Sequence, residues 1–446
     1  MSTLLIHNAE IITGDARPIK GGWILVDGEY ITAIGKKEPL PAADIVVDAG
    51  GDLIMPGMID THVHFRDPGL THKADIESES AAAVAGGVTS FIDMPNTQPP
   101  TTTLSAWEDK MSRAAQVSRA NYAFYIGATN TNIDSDLLRA DYTRVPGVKL
   151  FLGSSTGNLL VDSSSALARL FAEVKALIAV HAEDNARIAL NAAIAREVFA
   201  GEPVPVELHP LIRDSKACLD SSIAAIRMAR QGGARLHLLH LSTAAEVRLL
   251  RECKPSWLTA ETCIQYLTFS DADYETLGTR VKCNPAVKSS SDRTALRKAL
   301  KDGVIDIVAS DHAPHLLSEK NGDALTAPSG MPGMQFQLPL LLDIYKPAEV
   351  AAFTAARPAA IFGIQNRGVL CPGAYADMVR IARRQHVIAD GDSLSRCKWT
   401  PAAGITSGHS VVTTWVNGCV AFSNGTLSDK LSARPLQFNQ TSKHPE

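Results

Sequence analysis

Cysteine is sparse in these 446 residues: Cys218, Cys253, Cys263, Cys283, Cys371, Cys397 and Cys419 are the only ones, and no two form a C-x-x-C pair. The wide spacing and the odd count argue against a structural zinc site or a disulfide framework; they read as free thiols in a reducing compartment. No apolar run approaches the roughly 20 residues that a membrane helix needs. The N-terminal apolar stretch is interrupted by His7, Asn8 and Glu10 and has no basic segment before it, so no secretory leader is expected. Neither sign of charge dominates, with 43 Lys and Arg against 47 Asp and Glu, and no basic block stands out. A nucleic-acid surface is therefore not expected. No G-x-G-x-x-G follows a strand-like run, which leaves a dinucleotide site without support. Together these absences point to a cytoplasmic protein without nucleic-acid or membrane partners.

What is present is a change of rhythm. Residues 1–55 carry short β-branched or aliphatic runs at 4–7, 23–26 and 45–47, separated by Gly, Asp and Pro. Such runs with no helix between them look like a small antiparallel sheet. From Pro56, eight apolar runs follow at 57–62, 88–94, 122–127, 148–152, 177–181, 236–240, 257–261 and 305–311. Alanine-rich helical stretches separate most of them, among them 79–85, 164–175, 184–199, 222–231, 244–252 and 292–301. Continuous apolar strands alternating with helices predict a parallel sheet covered by helices, and eight units predict a (β/α)8 TIM barrel. A doubly wound open sheet is the alternative. After Gly368 the strand rhythm returns at 376–381, 410–415 and 419–422. The expected organisation is thus a barrel over 56–367, with a small β-sandwich domain built from 1–55 and 368–446. The polar tail from Arg434 onward is expected to fray.

Polar and ionisable groups fall at the C-terminal ends of these strands, the rim that builds active sites in such barrels. His62 and His64 are two apart and point the same way from one strand, which makes half a metal site. Lys149 interrupts an apolar strand, where a charge is costly unless it is paired or removed. It either snorkels to the rim or is carbamylated by CO₂ into a carboxylate that bridges two metals. His181 and His240 end the fifth and sixth strands, while His237 reads as a core or surface histidine. Asp311 follows the apolar eighth strand. Imidazole with carboxylate ligation suits Zn²⁺ best, with Mn²⁺, Co²⁺ and Fe²⁺ open. A pair of divalent ions lowers the pKa of a bridging water and polarises a carbonyl, which is the chemistry of amide hydrolysis.

The pattern is similar to the amidohydrolase superfamily, and within it the sequence resembles the class I dihydroorotases over most of the chain. Three blocks carry the resemblance: His62-Val63-His64-Phe65-Arg66-Asp67-Pro68-Gly69, Met94-Pro95-Asn96-Thr97 and Ser310-Asp311-His312-Ala313-Pro314-His315. The resemblance implies a zinc-dependent cyclic amide hydrolase of pyrimidine biosynthesis, interconverting dihydroorotate and N-carbamoyl-aspartate through a metal-bridging hydroxide. It implies that His62 and His64 hold a buried metal, that carbamylated Lys149 bridges two zinc ions, and that His181 and His240 hold the more exposed one. Asp311 would ligate the buried metal and shuttle the proton. Arg66, Asn96 and His315 match positions that grip the substrate carboxylate and ring, and Asn284 matches a further substrate contact. The segment 153–158 is expected to border the site. A homodimer is a family-level expectation.

Two departures bear on substrate. Gln265-Tyr266 stands where many dihydroorotases carry His-His, and Gly333-Met334-Gln335-Phe336 replaces a usual Gly-Leu-Glu-Thr. Both are expected near the substrate. A related cyclic amidase acting on a hydantoin, allantoin or dihydropyrimidine stays open, as does an inactive barrel kept as a structural partner. Arg66 together with Asn96 favours a carboxylate-bearing ring over the first, and the intact ligand set argues against the second.

Overall fold

The fold follows from eight strands that are buried on both faces. A computed structural model describes residues 2–15, 17–36, 39–152 and 159–439. The barrel strands are Met58–Val63, Val88–Asp93, Asn121–Phe124 continued by Ile126–Gly127, Val148–Phe151, Ile178–His181, Leu236–Leu238, Leu258–Cys263 and Ile307–Ala309. Adjacent strands pair in parallel. Two joints close the ring. Tyr125 donates to Asp93 O across the break in the third strand, and His64 donates to His312 O where the eighth strand meets the first. All six residues of the first two strands are buried, as a parallel sheet wrapped in helices requires.

The sixth and eighth strands stop short of the expected residues 240 and 311. His240 and Asp311 take left-handed backbone, with φ of 41° and 46°, which cannot continue a ladder. The helices stand where the alanine-rich stretches predict them. Ile76–Ala85 starts at Asp75, whose side chain accepts from Ser78 N, and Asn185–Phe199 starts at Asp184, which accepts from Ala186 N and Arg187 N. No helix among the described residues is long and apolar enough to cross a membrane.

Strands from both ends of the chain meet in one nine-stranded sheet. Met378–Ala382 pairs antiparallel with Leu53–Pro56, and Leu53–Pro56 lies parallel beside Thr3–Ile11. Ile6, Ile24, Ile54, Met378 and Trp415 form a core of their own there. The join to the barrel is polar and buried. The Asp377 carboxylate accepts from Arg367, from Asn121 Nδ2 at the start of the third barrel strand, and from Asn417 N.

The expectation of a fraying tail fails for its first residues. Leu436 donates to Tyr122 O and Phe438 to Thr143 O, and both side chains are buried with Tyr125, Phe362 and Ile364. The alternation Leu436-Gln437-Phe438 inside a polar segment is a two-residue apolar face, enough to cover the floor of the barrel. Residues 440–446 lie outside the described residues.

Candidate active site

All ten side chains singled out from the sequence line one cavity of about 240 Å³: His62, His64, Arg66, Asn96, Lys149, His181, His240, Asn284, Asp311 and His315. Phe151, Ala313 and the segment of Pro328, Ser329 and Gly330 complete the wall. The segment 153–158 lies outside the described residues. The Pro68-Gly69 turn brings the first block against the second. A Cβ at Gly69 (φ 86°) would lie 1.7 Å from Gln98 O, so only glycine permits this approach. Pro68 O accepts from Gln98 N, which ties together the segments that bring Arg66 and Asn96 to the cavity.

The donors converge. Asp311 Oδ1 lies 3.3 Å from His62 Nε2 and 3.1 Å from His64 Nε2. The far nitrogens of both rings are already engaged. His62 Nδ1 meets Glu261 Oε1 at 2.6 Å and His64 Nδ1 meets Asn96 Oδ1 at 2.8 Å. Both acceptors require the proton on Nδ1, so both Nε2 lone pairs face Asp311. One donor atom from each of His62, His64 and Asp311 lies within 4.8 Å of the others, the spacing of a metal-ligand triad. On the other side, His181 Nδ1 and His240 Nε2 approach to 2.8 Å. His181 Nε2 is backed by Glu183 at 3.2 Å, itself paired with Arg213. The Lys149 ammonium is buried 4.6 Å above the Phe151 ring.

The electrostatics favour ligation. Burial lowers the pKa of His62, His64, His181 and His240, and the charge of Lys149 lowers each further, so the four rings are neutral at pH 7 as metal ligands must be. Burial pushes Lys149 down to about 7, against the attraction of Asp311 and Glu261. Burial also raises Asp311, opposed chiefly by His62 and Lys149. Arg66, His240 and Asp311 all hold left-handed backbone, a strain that a surrounding fold must sustain and that clusters at functional sites. Four neutral imidazoles, a carboxylate and a dischargeable lysine gathered in one cavity fit divalent transition-metal ions.

Arg66 is buried, with Nε donating to Pro314 O and Nη2 3.2 Å from His315 Nε2. Asn96 both lines the cavity and holds His64, a double position that the sequence does not disclose. Asn284 Oδ1 is buried without a hydrogen bond from any described residue.

Several supporting residues escape a sequence reading. Glu261 collects His62, His237 and Thr61 on one carboxylate and is fully buried. Its signal, a carboxylate ending an apolar strand, is the one that marks Asp311. Asp60, two residues before His62, accepts from Ser310 N and His62 N and ties the first strand to the eighth; burial raises its pKa to about 7. His237 is a core residue held by Thr259 and Glu261.

The departures do not reach the cavity wall, contrary to expectation. Gln265 and Tyr266 lie on the buried helix Ile264–Thr268, where Tyr266 Oη donates to Pro285 O and backs the Asn284-Pro285 segment. Gln335 bonds to Asp392 O and Leu394 N instead. Both stretches form a layer behind the wall because their helices turn these side chains into the protein.

Comparison with known families places residues 53–421 in the amidohydrolase family, and the chain belongs to it. Within that family the chain is 35% identical to a dihydroorotase of Halobacterium salinarum, covering 95% of this chain and 97% of the relative. It is 32% identical to a dihydroorotase of Bacillus subtilis (92% and 99%) and 32% identical to an allantoinase of Streptomyces avermitilis (96% and 97%). Among solved structures, the L-hydantoinase (dihydropyrimidinase) of Arthrobacter aurescens superimposes with a TM-score of 0.92 at 26% identity, covering 98% of this chain and all of that one.

Proposed function

We propose that the protein is a dihydroorotase, a zinc-dependent hydrolase of a carboxylate-bearing cyclic amide. The observation that carries the reading is the buried Arg66 guanidinium beside His315 on the same wall as the ligand cluster. A buried cation there is matched by a ring carboxylate and is left unpaired by an uncharged hydantoin or dihydropyrimidine. The names of the Halobacterium salinarum and Bacillus subtilis relatives support the same choice.

His62, His64 and Asp311 would hold one zinc ion and His181 and His240 a second, with Lys149 between them. Bound there, the two ions would supply an activated water and a polarised ring carbonyl. Lys149 reacts with CO₂ as its free amine: the nitrogen lone pair forms the N–C bond, a proton leaves, and the carbamate has two oxygens to offer. A pKa near 7 makes that free amine accessible. Asp311 accepts the proton of the attacking water and delivers it to the ring nitrogen as the C–N bond breaks. In the reverse direction, protonated Asp311 assists loss of water, and a raised pKa suits both halves. Arg66 holds the carboxylate with His315 beside it, while Asn96 and Asn284 orient the ring.

The test is turnover by the purified, zinc-supplemented protein of dihydroorotate, with allantoin and dihydrouracil as controls, and metal analysis of the same sample. Turnover of dihydroorotate alone with close to two metals per chain is expected. Full metal content with turnover only of a control would overturn the substrate assignment.

A further inference from the structure

His315 sits between two cations. Lys73 Nζ lies 3.1 Å from its Nδ1, and Arg66 Nη2 lies 3.2 Å from its Nε2, which is also 3.2 Å from Ser329 O. A lysine ammonium only donates, so Nδ1 must be the bare acceptor. The single proton of the neutral ring is then on Nε2, where Ser329 O accepts it. Burial and the charges of Arg66 and Lys73 keep the ring neutral. With this tautomer the one Nε2 proton is donated to Ser329 O and the ring has no lone pair to offer Arg66, so the Arg66 Nη2–H is not taken up by His315. The opposite tautomer would turn the Nε2 lone pair onto Arg66 and occupy the guanidinium with an internal bond.

We infer that Lys73 is a positioning residue for the anionic end of the substrate: by donating to His315 Nδ1 it fixes the Nε2–H tautomer, whose proton Ser329 O takes, and so leaves the Arg66 Nη2–H unclaimed by His315 for the substrate carboxylate. The inference rests on the reading of this cavity as a site for a carboxylate-bearing cyclic amide. Lys73 follows the turn after the first barrel strand, closed by Lys73 N donating to Leu70 O. Its ammonium is mostly buried and is anchored by Glu319 Oε1 at 3.3 Å; Glu319 Oε2 in turn accepts from Leu316 N. A plain ion pair would account for Glu319 alone. It would not account for the placement of Nζ on the ring nitrogen opposite Arg66.

The first measurement is the ¹⁵N spectrum of histidine-labelled, metal-loaded protein, with the His315 ring assigned by its loss in His315→Asn. A proton-free Nδ1 and a protonated Nε2 are expected, and a protonated Nδ1 overturns the inference without any Lys73 variant. In Lys73→Met the KM for dihydroorotate should rise about 10-fold, with kcat within about twofold and metal content unchanged, since a charged hydrogen bond that supports ground-state and transition-state binding equally is lost. Lys73→Arg should restore most of the loss. A fall in kcat at constant KM, or no change in either the spectrum or KM, overturns the inference. If wild-type protein with full metal does not turn over dihydroorotate, the proposed function fails, and the ¹⁵N spectrum still decides the placement of Lys73.

Discussion

At the scale of single residues, His62 and His64 are each held by one ring nitrogen, which leaves the other facing Asp311. Glu261 does this for His62. Replacing it with Gln leaves one acceptor oxygen for the His62 and His237 donors, so one ring must turn or lose its partner. Glu261→Gln should weaken metal binding by about 10- to 100-fold, read by titration of the apoprotein with Zn²⁺. In the proposed function Asp311 carries both ligand and proton-transfer duties. Asp311→Ala should lower kcat by about 10³-fold or more while the circular dichroism spectrum is retained; near-normal turnover would sink the mechanism. Lys149 links pH to both chemistry and stability. The folded pKa of about 7 lies below the ordinary 10.5, so the unfolded chain binds the extra proton between these values. Stability of the metal-free protein should therefore rise with pH from about 7 toward 10.5, and Lys149→Met should lack that rise in denaturant titrations. By the same shift, the ¹³C carbamate signal from labelled bicarbonate should be stronger at pH about 8 than at about 6.

At the scale of elements, strand ends matter more than strands. The apolar runs build the ladder, but three site residues, Arg66, His240 and Asp311, stand just past it in left-handed conformations. The positions of His240 and Asp311 were legible from sequence because a polar residue at the end of a buried strand has no packing reason to be there; Arg66 was marked by the resemblance. Their backbone geometry was not, because it is imposed by the turns that follow. The C-terminal segment is the converse case. Its short apolar face carries little weight in a polar tail, yet the barrel floor offers Tyr125, Phe362 and Ile364 as a partner surface. Phe438→Ala should cost about 3–5 kcal/mol in urea unfolding, far more than a frayed tail would allow.

At the scale of the whole molecule, the nine-stranded sheet and the barrel are joined through buried polar groups. Asp377 accepts from groups on both, and its partner Arg367 is equally buried. Removing the carboxylate takes away the acceptor of a buried guanidinium and of the Asn417 amide, and one of the two acceptors of Asn121 Nδ2. Asp377→Ala should destabilise the protein by about 3–5 kcal/mol, measured by denaturant unfolding. The cavity lies at the far end of the barrel strands, so metal content per folded chain should stay unchanged in that variant.

Periodicity and strand-end chemistry, local properties of the chain, determined the eight-stranded barrel, the sheet shared by the two ends, and six of the residues that meet in the cavity, His62, His64, Lys149, His181, His240 and Asp311; the resemblance supplied Arg66, Asn96, Asn284 and His315. Each of those six is a polar group that a buried strand or its end cannot otherwise explain. The tertiary structure alone decided which partner each group has. Glu261 behind His62, Asn96 behind His64, Lys73 behind His315, and Tyr266 behind the Asn284-Pro285 segment are contacts between residues distant in sequence. The closure of the ring sets those contacts, and no local pattern of hydrophobicity encodes which strand end will face which.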